Sequence, residues 1–188
     1  MGDVVFNNDG TKMFTSYSNN TGNNTNDDVI NEYTLSVPYD ISSATYAGAS
    51  ERCAVTDGED GRKDNAMLSF SFSDDGMKIF VAQRGLNGVH NSFVNRLDLT
   101  SAFDVSTCVY VNEINVDTDL LQNGSTSGPR VNTGGRNNLQ GLDITNDGTK
   151  MFLTMNDRDG NQSVKKYNFA TPYDLSLIHI SEPTRRKR

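Results

Sequence analysis

Apolar residues along the chain come in short runs, each bounded by Gly, Pro, Asn or Asp. Val4-Val5-Phe6 and Met13-Phe14 flank Asn8-Asp9-Gly10. Phe70 and Phe72 precede Asp74-Asp75-Gly76, and Ile79-Phe80 follow it. Leu142 and Ile144 precede Asn146-Asp147-Gly148, and Met151-Phe152 follow it. Each pattern reads as strand, tight turn, strand, because Gly takes positive φ in such a turn without steric cost. A third strand follows each hairpin. Tyr33 and Leu35 alternate with Glu32 and Thr34, the period of two of a strand with one buried face. Leu97 and Leu99, then Tyr167 and Phe169, hold the same places. Pro38 and Pro172 end these strands, since proline cannot continue a ladder. Ala44–Ala47 and Cys108–Val111 read as fourth strands. No stretch carries a helical period.

The same elements thus occur three times. The Asp-Gly turns lie 66 residues apart (Asp9 to Asp75) and then 72 (Asp75 to Asp147). Within each copy, the distance from that turn to the Asp of Tyr/Phe-Asp-x-Ser is nearly constant: 31, 29 and 27 positions, ending at Asp40, Asp104 and Asp174. Repetition at a long period marks a repeat architecture. The pattern Asp-Gly-Thr-Lys-Met-Phe, then Tyr-x-Leu-x-x-Pro-Tyr-Asp-Ile-Ser, resembles β-propeller repeats of the YVTN/TolB-like kind, as in marine phage and bacterial surface proteins. The resemblance spans nearly all of residues 1–176. It implies an all-β fold: a β-propeller fragment of about two and a half four-stranded antiparallel blades in an open arc. Residues 1–66 form blade 1, 67–138 blade 2, and 139–176 a partial blade 3 without its outer strand. Closed propellers need about four to eight blades, so the expected neighbours are further blades of a longer chain. A fragment of this kind exposes faces meant for neighbours, so self-association or aggregation is expected.

Residues 177–188 are read as a non-native tail. Leu175 to Arg185 spell LSLIHISEPTR, which resembles the translation of a transposase sequencing adapter. Such a segment is set aside in fold reasoning, and it is expected to pack against nothing and to be removable without loss of stability. The whole chain carries −7, and the tail carries +3 (Arg185, Arg186, Lys187 and Arg188 against Glu182), so residues 1–176 carry −10. That balance repels nucleic acid and anionic lipid. No apolar run approaches the roughly 20 residues that span a bilayer, so no membrane insertion is expected. His179 lies in the tail, leaving His90 as the other histidine and little material for histidine-based acid–base or zinc chemistry. Cys53 and Cys108 hold non-equivalent places in the repeat and read as small buried hydrophobes. The alternative is a disulfide between blades, which the spacing does not demand.

In an up-and-down blade, tight turns and long connections fall on opposite rims. The long segments are Tyr17 to Asp28, Val55 to Asn65, Arg84 to Asn91, Val116 to Asn138 and Asn156 to Gln162. All of them belong to one rim, and binding residues concentrate on loops held by a rigid scaffold. Asp27, Asp28, Asp60, Arg84, Arg136, Asp157 and Asp159 are the candidate ligand-binding residues there. Asp157-Arg158-Asp159-Gly160-Asn161 resembles a calcium loop, although it lacks the spaced bidentate Glu; it reads as a polar loop, with Ca²⁺ the one cofactor considered. No G-x-S-x-G, Walker loop or H-E-x-x-H occurs, and no catalytic residue is assigned. The expected function is a non-enzymatic binding or structural module of a secreted, cell-surface or virion protein that recognises a glycan or protein. The alternative is a fragment of a lactonase-like or other hydrolytic propeller. That alternative calls for Glu, Asp, His or Asn at the inner-strand ends, where the sequence offers Asp3, Ser69, Gln140 and Asp143.

Overall fold

The computed structural model describes residues 2–18, 28–55, 65–85, 92–116, 138–156 and 162–181. The described residues form three antiparallel sheets. In the first, β1 (Val4–Phe6), β2 (Lys12–Tyr17), β3 (Val29–Leu35) and β4 (Ala44–Tyr46) pair in chain order, and β5 (Cys53–Ala54) adds to β3. The second orders β6 (Asn65–Phe72), β7 (Lys78–Gly85), β8 (Ser92–Asp98) and β9 (Val109–Asn115). The third orders β10 (Asn138–Ile144), β11 (Lys150–Asn156), β12 (Gln162–Phe169) and β13 (Ile178–Ser181). Each is an up-and-down meander, and the described helices are 3-10 turns of three residues. The chain is all-β, as expected of a propeller fragment, and the three sheets do not close on one another.

The core lies between sheets. Phe14, Ile30, Cys53, Met67, Phe70, Ile79, Val81, Leu97, Leu99 and Val105 pack between the first and second. Phe80, Ala82, Val94, Leu142, Ile144, Met151, Leu153, Tyr167, Phe169 and Leu175 pack between the second and third. Side chains alternate across a strand, so β7 sends Ile79 and Val81 one way and Phe80 and Ala82 the other. All four are fully buried. The middle sheet is therefore covered on both faces, and its strand reads as an unbroken apolar run, as such strands do. The equivalent run in β2 is Met13-Phe14-Thr15-Ser16, where only Phe14 and Ser16 are buried.

Two expectations are corrected. The third sheet has an outer strand: β13 pairs with β12 through Lys166↔Ser181, Tyr167↔Ile180, Asn168↔His179 and Phe169↔Ile178. The strand follows a 3-10 turn at Leu175–Leu177, as β4 follows Ile41–Ser43. Ile178-His179-Ile180-Ser181 alternates with period two, and the open edge of β12 offers it a ladder. The cysteines, read as small hydrophobes, are joined: Cys53–Cys108 is a disulfide. Cys53 reaches sheet 2 because β5 resumes pairing with β3 at Val29 and Ile30 after the 3-10 turn Ala49–Glu51.

Candidate functional site

The two rims differ in how their polar groups are used. On the turn rim, Asp9 Oδ1 accepts from the Thr11 amide at 2.9 Å and the Thr11 hydroxyl at 2.6 Å. Asp75 accepts from the Ser73 hydroxyl and the Met77 amide. Asp147 accepts from Thr145, the Thr149 amide and the Thr149 hydroxyl. The second turn of each sheet is a 3-10 turn capped by Asp40, Asp104 or Asp174. Each carboxylate accepts from the amide and hydroxyl of the Ser two residues on. Bonds to the charged form favour it. The Thr145 hydroxyl, then the Thr149 amide and hydroxyl, hold Asp147 down at about 2. The hydroxyls of Thr11, Ser42, Ser73 and Ser176 do the same, in direction, for Asp9, Asp40, Asp75 and Asp174.

The same rim is stitched across sheets. Tyr39, Phe103 and Tyr173 adopt φ of 60°, 55° and 62°, a region costly for residues with a Cβ. Each donates its amide to the carbonyl of the turn glycine: Gly10, Gly76 or Gly148. Asn8 Nδ2 donates to the Asp74 carbonyl of the next sheet at 2.8 Å, and Lys12 Nζ to the Phe103 carbonyl at 2.8 Å. The Tyr173 hydroxyl donates to the Asn146 carbonyl and accepts from the Asp74 amide. Arg96 grips Asp98 with two bonds of 2.7 Å and reaches the Tyr173 carbonyl. The recurring acidic residues of this rim are thus structural.

The antiparallel order places the ends of the long connections on the opposite rim. Asp27, Asp60, Arg136, Asp157 and Asp159 lie outside the described residues. Asp28 is buried and accepts from the Met67 amide of the next sheet at 2.8 Å. It faces the sheet interface. Arg84 lies near the end of β7, opposite Ala66 and Ser92. The structure builds a polar line along the inner strands. Asp3 Oδ2 accepts from the Ser69 hydroxyl at 2.8 Å and the Phe70 amide at 3.3 Å. The Ser69 oxygen in turn accepts from the Leu142 amide at 3.2 Å. Asp3 and Ser69, the inner-strand groups that an enzyme would use, are here holding three sheets in register. Gln140 and Asp143 are exposed.

Sequence reading did not anticipate Gln83 and Asn95. Both are fully buried, and Asn95 Nδ2 donates to Gln83 Oε1. Their only signal was a polar residue on a face otherwise made of Ile79, Val81 and Leu97. At the long-connection end of the third sheet, Gln140, Thr154, Met155, Gln162, Ser163 and Val164 line a cavity of about 330 Å³. Its polar lining is amide and hydroxyl, which donates and accepts hydrogen bonds without charge. Among the described residues no group of three or more His, Cys, Asp or Glu is placed to hold a metal ion. No described helix is long and apolar enough to cross a membrane, which says nothing of strands. No protein-family model matches this chain, and no curated protein matches it.

Proposed function

We propose that the chain is a non-enzymatic binding or structural module of a secreted, cell-surface or virion protein, and that it recognises a glycan or a protein through the rim carrying its long connections. The contrast between the rims carries this reading. On the turn rim, all six recurring Asp carboxylates cap their own turns. The long polar connections leave from the opposite rim, and loops on a rigid scaffold are where recognition resides. The Cys53–Cys108 disulfide favours an oxidising compartment. The acidic balance of −7 disfavours nucleic acid as the ligand. Ca²⁺ enters only as an ion that orders the acidic connections around Asp60 and Asp157.

The test is a glycan array probed with the purified chain, followed by alanine substitution of each rim in turn. Asp27, Asp60, Arg136, Asp157 and Asp159 substitutions should abolish captured signal. Asp9, Asp75 and Asp147 substitutions should lower stability and leave binding by the folded fraction intact. The reverse pattern would assign binding to the wrong rim. Saturable turnover of a lactone or ester, lost on replacing the exposed Gln140 or Asp143, would favour the hydrolase instead.

A further inference from the structure

The first and third sheets each leave one face open, and the two faces match as the halves of a contact the molecule already makes twice. On the first sheet, Val4 is 54% and Ile41 68% exposed, with Tyr17 and Tyr46 also exposed. Their strand neighbours on that face are Phe6, Met13, Thr15, Asn31 and Tyr33, all uncharged. The same places in the second and third sheets are buried against the preceding sheet. Phe70 and Leu142 replace Val4 at 1% and 8% exposure, and Val105 and Leu175 replace Ile41 at 0% and 1%.

The open face of the third sheet repeats the other half. Val164, 61% exposed, holds the place of Ile30 and Val94, both fully buried against the following sheet. The residues that make the polar hooks of the first seam recur in the sequence of the third sheet. Asn8 and Lys12 donate to the Asp74 and Phe103 carbonyls of the following sheet. Asn146 and Lys150 occupy those two places in the third sheet. The acceptors they would meet, the Asn8 and Tyr39 carbonyls, are on the first sheet, where Tyr39 shares the positive φ of Phe103. Gln162 stands in the register place of Asp28, whose carboxylate receives the Met67 amide of the following sheet. In the third sheet that place borders the cavity of about 330 Å³.

We propose that the open face of the third sheet docks on the open face of the first sheet of a second copy, head to tail, and that two copies close a ring of six sheets. Six lies within the range of about four to eight at which stacked sheets of this kind close. The contact is heterologous, with a different surface on each partner, and it terminates because the ring closes. The occupant is a second copy because the chain itself holds the complementary face, down to the two turn donors.

The test is sedimentation equilibrium of the full chain with three variants whose changed residues are exposed, so that folding is retained: Val4→Asp, Ile41→Asp and Val164→Asp. The wild type should be a discrete dimer at about 10–100 µM. Each variant alone should sediment as a folded monomer at the same concentrations, checked by circular dichroism. Mixing Val4→Asp with Val164→Asp should restore a dimer through the one remaining intact pair of faces, with affinity at least tenfold below that of the closed ring. A wild-type monomer throughout the range would overturn the proposal. So would a dimer that survives Val164→Asp, because it would pair two first sheets face to face. A ladder of trimers and longer species would overturn ring closure.

Discussion

Gly10, Gly76 and Gly148 sit at φ of 73°, 69° and 64°, each beneath an aromatic ring. A Cβ on Gly76 would lie 2.3 Å from the Phe103 ring and would strain the backbone too. Gly76→Ala should lower unfolding free energy by about 2–3 kcal/mol in urea titration. The Asp-Gly turns were legible because the turn chemistry is local. The aromatics at positive φ were not, since what stabilises them is a glycine 25 to 29 residues earlier in the chain. Asp28 was misplaced for a similar reason: a carboxylate beside a polar connection reads as solvated, yet it is anchored by a distant amide. The capping carboxylates also set an acid limit. Asp147 titrates at about 2 in the fold, below its ordinary 3.8. A depressed carboxyl stabilises above its unfolded value and loses that contribution as pH falls through the folded one. Asp9, Asp40, Asp75 and Asp174 shift the same way. Melting temperature should therefore fall between about pH 4 and pH 2. Asp147→Ala should be less stable than wild type at pH 6, with the difference shrinking by pH 2.

At the scale of elements, the strands and their order were legible from alternation and turns, while links between elements were not. The Cys53–Cys108 bond joins residues 55 apart, and no local pattern pairs them. Closing a loop of that length contributes about 4 kcal/mol by restricting the unfolded chain. Reduction should accordingly lower the melting temperature by many degrees, and Cys108→Ala should reproduce the shift without reductant. The outer strand of the third sheet was missed because its sequence departs from the repeat. Its pairing needs only alternation and an open edge. Ending the chain at Ser176 removes the four residue pairs between β12 and β13. The shortened chain should melt below the full one in calorimetry; an equal or higher midpoint would show that β13 adds nothing.

On the scale of the whole molecule, stability rests on stacking rather than on any one sheet. Burying a large apolar side chain is worth about 1.5–3 kcal/mol, and the fully buried set is concentrated in the two seams beside the middle sheet. In the unpaired chain, at concentrations too low for two copies to dock, unfolding should therefore begin at the end sheets, whose outer faces are then open, and reach the second sheet last. Native-state hydrogen exchange read by mass spectrometry tests that order directly. Amides of β7 and β8 should exchange most slowly, at rates that track global unfolding, while β1, β4 and β13 exchange orders of magnitude faster. Equal protection across all three sheets, or faster exchange in β7 and β8 than in β1, would contradict a middle sheet covered on both faces.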